Sequence, residues 1–206
     1  MNTIALNNII KQYSISDIEK SLVLRYIEVN NIELTSSQYL SEYISNFCPN
    51  PFLSNDISNL GDYSLEELSV AFELLIPASD RILNGAFFTP AYIADYIIDN
   101  VAPTCSETIA DVSCGCGAFL LGILRYYIRK YNISVSEILK NNLRGADILE
   151  YNVRRSKLLI CLFALLNGEN IEGVAELPKK SKQKPQLSQA EAFLCPQNFV
   201  ILWYSN

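Results

Sequence analysis

The chain has 206 residues, half of them hydrophobic, and a formal charge of −6, enough to build one large domain or two small ones around a substantial core. The acidic balance excludes a stand-alone nucleic-acid binder, which presents a basic face. Six cysteines without a secretory signal fit free thiols in a reducing cytoplasm, and no apolar run reaches membrane-spanning length, so no membrane partner is expected.

Residues 1–80 read as a helical region. Ser16-Asp-Ile-Glu19 has the form of a capping box opening a helix over residues 18–29. Tyr39, Leu40, Tyr43, Ile44 and Phe47 fall at the three-four spacing of an amphipathic helix over residues 35–47. Pro49, Pro51 and the polar stretch 54–62 predict a loop. Ser64-Leu-Glu-Glu67 opens another helix, with Leu65, Leu68, Phe72, Leu75 and Ile76 on one face and Pro77 at its end. Basic residues are sparse here, so the region is expected to cap an α/β core rather than grip nucleic acid.

Residues 81–174 carry the informative patterns. Gly85-Ala86-Phe87-Phe88-Thr89-Pro90 precedes a helix-like stretch, 91–100. Thr89 suits its cap and Pro90 its first turn. Residues 107–120 follow, an apolar run ending on Asp111, a loop holding Cys114, Gly115, Cys116 and Gly117, and an apolar helix from Ala118. Strand, glycine turn and helix in that order make a ligand cradle. Glycine allows positive φ and close approach, and the helix start offers unpaired N–H groups. Ser134-Val-Ser-Glu137 starts an added helical piece. Residues 143–148 read as a second strand with Asp147 at its end, followed by a helix over 151–166. Residues 175–206 form a lysine-rich linker bounded by Pro178 and Pro185, then a strand-like tail over 198–204 that can add to the sheet. The expected fold is therefore α/β and doubly wound, behind a helical N-terminal region.

The ligand follows from what the loop lacks. A dinucleotide fingerprint needs a third glycine where Leu120 stands, and a Walker loop needs Gly-Lys-Ser/Thr. A metal at Cys114-Gly-Cys116 is not expected, because the chain has no histidine and no second cysteine pair at ligand spacing. The run Asp111-x-x-Cys114-Gly115-x-Gly117-Ala-Phe-Leu120 resembles the S-adenosylmethionine motif of adenine-specific (N6) DNA methyltransferases, above all the type I modification-subunit and restriction-modification branch. The segment before it resembles that family's Gly-x-Phe-Tyr-Thr-Pro, with Phe88 at the usual tyrosine. Val112, Ser113 and Cys116 depart from the common proline, alanine and serine or threonine.

The resemblance implies a partial Rossmann-like methyltransferase fold that binds S-adenosyl-L-methionine. It implies cofactor contacts from Phe88, Thr89, Pro90, Asp111, Cys114, Gly115 and Gly117, and a ribose held by Asp147. It implies methyl transfer to adenine in DNA within a restriction-modification system. DNA is then the substrate, and a specificity or restriction subunit or a downstream catalytic half is a partner. The family's catalytic Asn/Asp-Pro-Pro-Tyr/Phe occurs nowhere in these 206 residues, so no catalytic residue is assigned. Two expectations stay open: a chain cut short before that motif, or a degenerate, inactive remnant that at most binds the cofactor. Methyl transfer to RNA or protein is disfavoured by the Gly-x-Phe-Phe-Thr-Pro segment.

Overall fold

The computed structural model describes residues 1–83, 89–170, 192–195 and 199–202. The expectations for Phe88 and for the linker over 176–190 lie outside the described residues. Helices come first: α1 (Thr3–Ile10), α2 (Ile15–Val29), α3 (Gln38–Ile44), α4 (Pro51–Ser58), α5 (Leu65–Leu74) and α6 (Ala78–Leu83). After α7 (Ala91–Val101) the chain runs β1 (Ile109–Asp111), α8 (Ala118–Tyr131), α9 (Val135–Asn141), β2 (Leu143–Gly145) and α10 (Glu150–Leu166). β1 and β2 pair in parallel, with Asp111 opposite Gly145. Parallel neighbours need a crossover between them, and α8 and α9 supply it. Ala192–Cys195 (β3) and Phe199–Leu202 (β4) form a separate antiparallel pair. The expected terminal strand is thus present, but it pairs with β3 rather than with β1 or β2. The architecture is mixed and mainly helical, with a small parallel sheet. No helix among the described residues is long and apolar enough to cross a membrane.

Local chemistry explains the helices and corrects three expectations. Ser64 caps α5 as foreseen, with the reciprocal bond from its own N–H to Glu67, and Leu65, Leu68, Phe72, Leu75 and Ile76 are all buried. α2 starts earlier than expected. Its cap is Ser14, which accepts from the Asp17 amide, and not Ser16. Glu19 is therefore free of any capping role and turns inward, 1% exposed. The proline-flanked loop also contains a helix. Asn50 accepts from the Phe52 amide and Pro51 takes the first helical position, where its missing N–H costs nothing. Leu53, Ile57 and Leu60, one turn apart, are buried. The third correction is at α7. Pro90, not Thr89, occupies the cap, where its φ of −54° and ψ of 142° leave it just outside the helix, and its hydrocarbon ring has no acceptor for a side-chain cap bond. Its carbonyl accepts from Ile93 and Ala94 instead.

One hydrophobic core runs through both regions, joining Leu6, Leu22 and Phe72 to Leu120, Tyr127 and Leu162. A buried ionic contact crosses it. Glu19 on α2 accepts from Arg155 Nε at 2.7 Å and from Arg154 Nη2 at 3.0 Å, and the Tyr43 hydroxyl donates to it at 2.7 Å. Arg155 is 2% exposed and lies over the Tyr151 ring. This contact fixes α10 against the N-terminal helices, and α10 carries groups that hold the glycine loop.

Candidate functional site

The site is built where β1 and β2 end. The Asp111 carbonyl accepts from Ala146 N–H at 2.8 Å, and Cys114 N–H donates to the Ala146 carbonyl at 2.9 Å. These bonds carry the β1–β2 ladder one step past the strands and dock the loop on β2. Gly115 and Gly117 take φ of +52° and +90°, values that a side chain resists. Gly117 N–H closes the turn on the Cys114 carbonyl at 2.8 Å, and α8 leaves directly from Gly117. No cap side chain serves that helix start, so its first-turn amides remain available to an acceptor.

Three further elements fasten the loop. On α10, Ser156 Oγ donates to the Gly115 carbonyl at 2.8 Å. Asn152, one turn earlier, donates to Asp147 Oδ1 at 3.2 Å and stands 3.9 Å from Cys116 Sγ. From α5, Ser69 Oγ reaches the Cys116 carbonyl at 3.4 Å. Asp147, two residues past β2, accepts Gly115 N–H on Oδ2 at 2.9 Å and Leu149 N–H on Oδ1 at 2.8 Å. With Asn152, three of its roughly four acceptor positions are taken. The carboxylate expected to hold a ribose therefore first holds the loop, with one position open on Oδ2.

Charge in the loop is controlled by burial. Asp111 has its pKa raised, chiefly by burial and also by the nearby Asp147 charge, while Ser113 N–H at 3.1 Å pulls it back. Burial pushes the Cys114 thiol up to about 12, and the charges of Asp111 and Asp147 add to this. Cys116 is pushed the same way. Both sulfurs are thus neutral thiols at neutral pH, suited to packing rather than to nucleophilic work.

Beside this knot lies a cleft of about 360 Å³ between α5, α7 and the start of α8. Thr89 and Pro90 line it, with Ser69, Glu73 and Glu66 from α5 and Ala118 and Arg125 from α8. Arg125 is neutralised by Glu66 at 2.9 Å and Asp95 at 2.8 Å. Glu73 is half-buried, and burial raises its pKa to about 7 although Arg81 opposes this. Asp111, Cys114, Gly115, Gly117 and Asp147 are brought together at the strand ends. Thr89 and Pro90 face the adjoining cleft, which meets the loop at Ala118. Sequence reasoning missed Ser69, Glu73, Asn152 and Ser156. Asn152 and Ser156, and likewise Ser69 and Glu73, are polar pairs four apart and so share one face of their helix.

Residues 67–158 match the model of the N-6 DNA Methylase family. The matched segment runs from the first turn of α5 to the middle of α10 and contains the glycine loop, Asp147 and every cleft residue named above except Glu66. The resemblance to adenine-N6 DNA methyltransferases is borne out over this segment. Among solved structures, a modification subunit assigned to a type I restriction enzyme of Vibrio vulnificus YJ016 is 19% identical, with a TM-score of 0.40. That likeness covers 55% of this chain and 25% of the other, so the chain spans about a quarter of that protein's length. No curated protein matches the chain.

Proposed function

We propose that this chain holds S-adenosylmethionine and forms the cofactor-binding part of an adenine-N6 DNA methyltransferase of a restriction-modification system, on a partial Rossmann-like fold. The observation that carries the reading is the glycine loop. It is fixed at the ends of two parallel strands by β2, α5 and α10, inside the segment that matches the methylase family. A preformed loop binds without the ordering cost that a mobile one incurs. The cradle also fits the ligand: positive-φ glycines keep side chains out of its path, and a drug-sized cleft adjoins it.

When bound, the cofactor supplies an activated methyl group. The chain's own residues bind and orient it. The backbone of Cys114, Gly115 and Gly117 offers close approach, and the α8 start offers amides to an anionic group. Asp147 uses its open Oδ2 position toward a ribose hydroxyl, and Asp111 borders the same loop. Thr89 and Pro90 wall the adjoining cleft. The acceptor in this reading is a flipped adenine. DNA is then the substrate, and a specificity or restriction subunit or a separate catalytic half is the partner.

A second reading is favoured by one observation. No Asn/Asp-Pro-Pro-Tyr/Phe occurs in the 206 residues, so nothing assigned here grips the base. A chain that binds the cofactor without transferring its methyl group accounts for this. Ultraviolet cross-linking with methyl-labelled S-adenosylmethionine, followed by peptide mapping, tests the binding claim. Label is expected in the peptides that span 111–118 or 147, and label confined elsewhere contradicts it. Label in N6-methyladenine after incubation of the chain alone with DNA would remove the second reading.

A further inference from the structure

We propose that Glu73 is the group that receives the ammonium of the cofactor's amino-acid end in the cleft between α5, α7 and α8, which makes the helical region part of the binding site. The inference rests on the cofactor reading above and adds a residue and a charge rule to it. Glu73 lines the cleft together with Thr89, Pro90 and Ala118, the residue that follows the glycine loop.

Its carboxylate has no hydrogen-bond donor and no ion pair among the described residues. Arg81 on α6 spends its Nη2 on the Glu73 main-chain carbonyl at 2.6 Å, and its charge only partly offsets the effect of burial on the Glu73 carboxyl. Arg125 on α8 is held by Glu66 and Asp95. Glu67 on α5 receives the chain's N-terminal ammonium. From the loop, the Cys116 thiol is neutral, its pKa raised chiefly by burial and in part by the Glu73 charge. Among the described residues of this wall, Glu73 is therefore the one strong acceptor without a partner. A half-buried carboxylate needs N–H donors, and an ammonium brings three whereas a sulfonium brings none. The ammonium is thus the part of the cofactor that matches it.

Two consequences follow. The ligand binds the ionised carboxylate, so affinity rises with pH as Glu73 loses its proton near 7. Between pH 6 and 7.5 the ionised fraction grows about eightfold, and the affinity with it. A ligand without the amino-acid end is indifferent to both pH and Glu73.

The test is calorimetry on the full chain and on Glu73→Gln, with S-adenosylmethionine, S-adenosylhomocysteine and 5′-methylthioadenosine as probes. The last keeps adenosine and thioether but lacks the amino-acid end. Glu73→Gln is expected to weaken the first two about tenfold or more and to leave the third within about twofold, as for loss of one charge-assisted contact. The pH dependence disappears in the variant. Undiminished S-adenosylmethionine binding by the variant overturns the inference and leaves the cofactor reading standing. An equal loss for all three probes overturns it in favour of a structural role for Glu73. Failure of the parent chain to bind any of the three overturns both.

Discussion

Replacing Glu19 by Gln is the perturbation that reaches furthest through this structure. The substitution keeps the side chain's shape and removes its charge. Arg155, 2% exposed, is then left with a buried, uncompensated guanidinium whose Nη1 already lacks a partner. Breaking one side of a buried pair costs about 3–5 kcal/mol. Arg154 is 42% exposed on its side chain and recovers its loss in water, so it adds little. The Tyr43 hydroxyl keeps an acceptor in the amide oxygen. An expected loss of about 3–4 kcal/mol stands against a total stability of about 5–15 kcal/mol. For a chain of this size it lowers Tm by about 6–16 °C. Urea and thermal unfolding followed by far-ultraviolet circular dichroism read both quantities. Replacing Glu19 and Arg155 together by methionine removes the stranded charge and is expected to restore much of the stability. A loss below about 1 kcal/mol for Glu19→Gln, or a double variant no better than the single one, would refute the reasoning.

Other perturbations give separate outcomes. The folded Glu73 carboxyl holds its proton up to about 7 against an ordinary 4.5, so its contribution to stability is complete below about 4.5 and is lost as pH rises through 7. With the group still partly in water this is worth about 1–2 kcal/mol, so Glu73→Gln is expected to match the parent at pH 4.5 and to exceed it by that amount at pH 8 in urea titrations. Gly117→Ala places a side chain at a φ of +90° and a Cβ 3.3 Å from Ser156 Oγ; a destabilisation of about 1–3 kcal/mol with weakened cofactor binding is expected, and wild-type values for both would contradict the loop's role. Asp147→Ala removes the acceptor of three bonds, so S-adenosylmethionine affinity is expected to fall at least about tenfold while Glu150→Ala stays within about twofold; equal affinities of the two variants count against the assignment.

How much of this was legible in the sequence depends on the range of the interaction. Elements set by neighbours in the chain were readable: the capping box at Ser64, the apolar face of α5, the glycine turn and the start of α8 at Ala118. Composition misled at α4. A proline-flanked polar stretch resembles a loop, yet Asn50 and Pro51 are also a cap and first-turn pair, and Leu53, Ile57 and Leu60 supply a buried stripe. Ser14 and Ser16 both carry an acid three residues on, so local chemistry alone did not decide between them. What decided was Arg155, 136 residues away, which claims Glu19 for the core. In the site, the loop and Asp147 were found because their residue types carry a pattern. Glu73, Ser69, Asn152 and Ser156 were not, because their roles come from which helix packs on the loop. The threefold bonding of Asp147 likewise belongs to the folded loop and has no trace in the sequence.

The central claim is that the loop after β1 holds S-adenosylmethionine. Isothermal titration of the full 206-residue chain with S-adenosylmethionine at pH 7.5, repeated with Gly117→Ala and Asp147→Ala, tests it most directly. The account predicts one site per chain, weakened in both variants, with S-adenosylhomocysteine competing for it. Absence of binding by a folded parent chain, or binding unchanged by both substitutions, would contradict it.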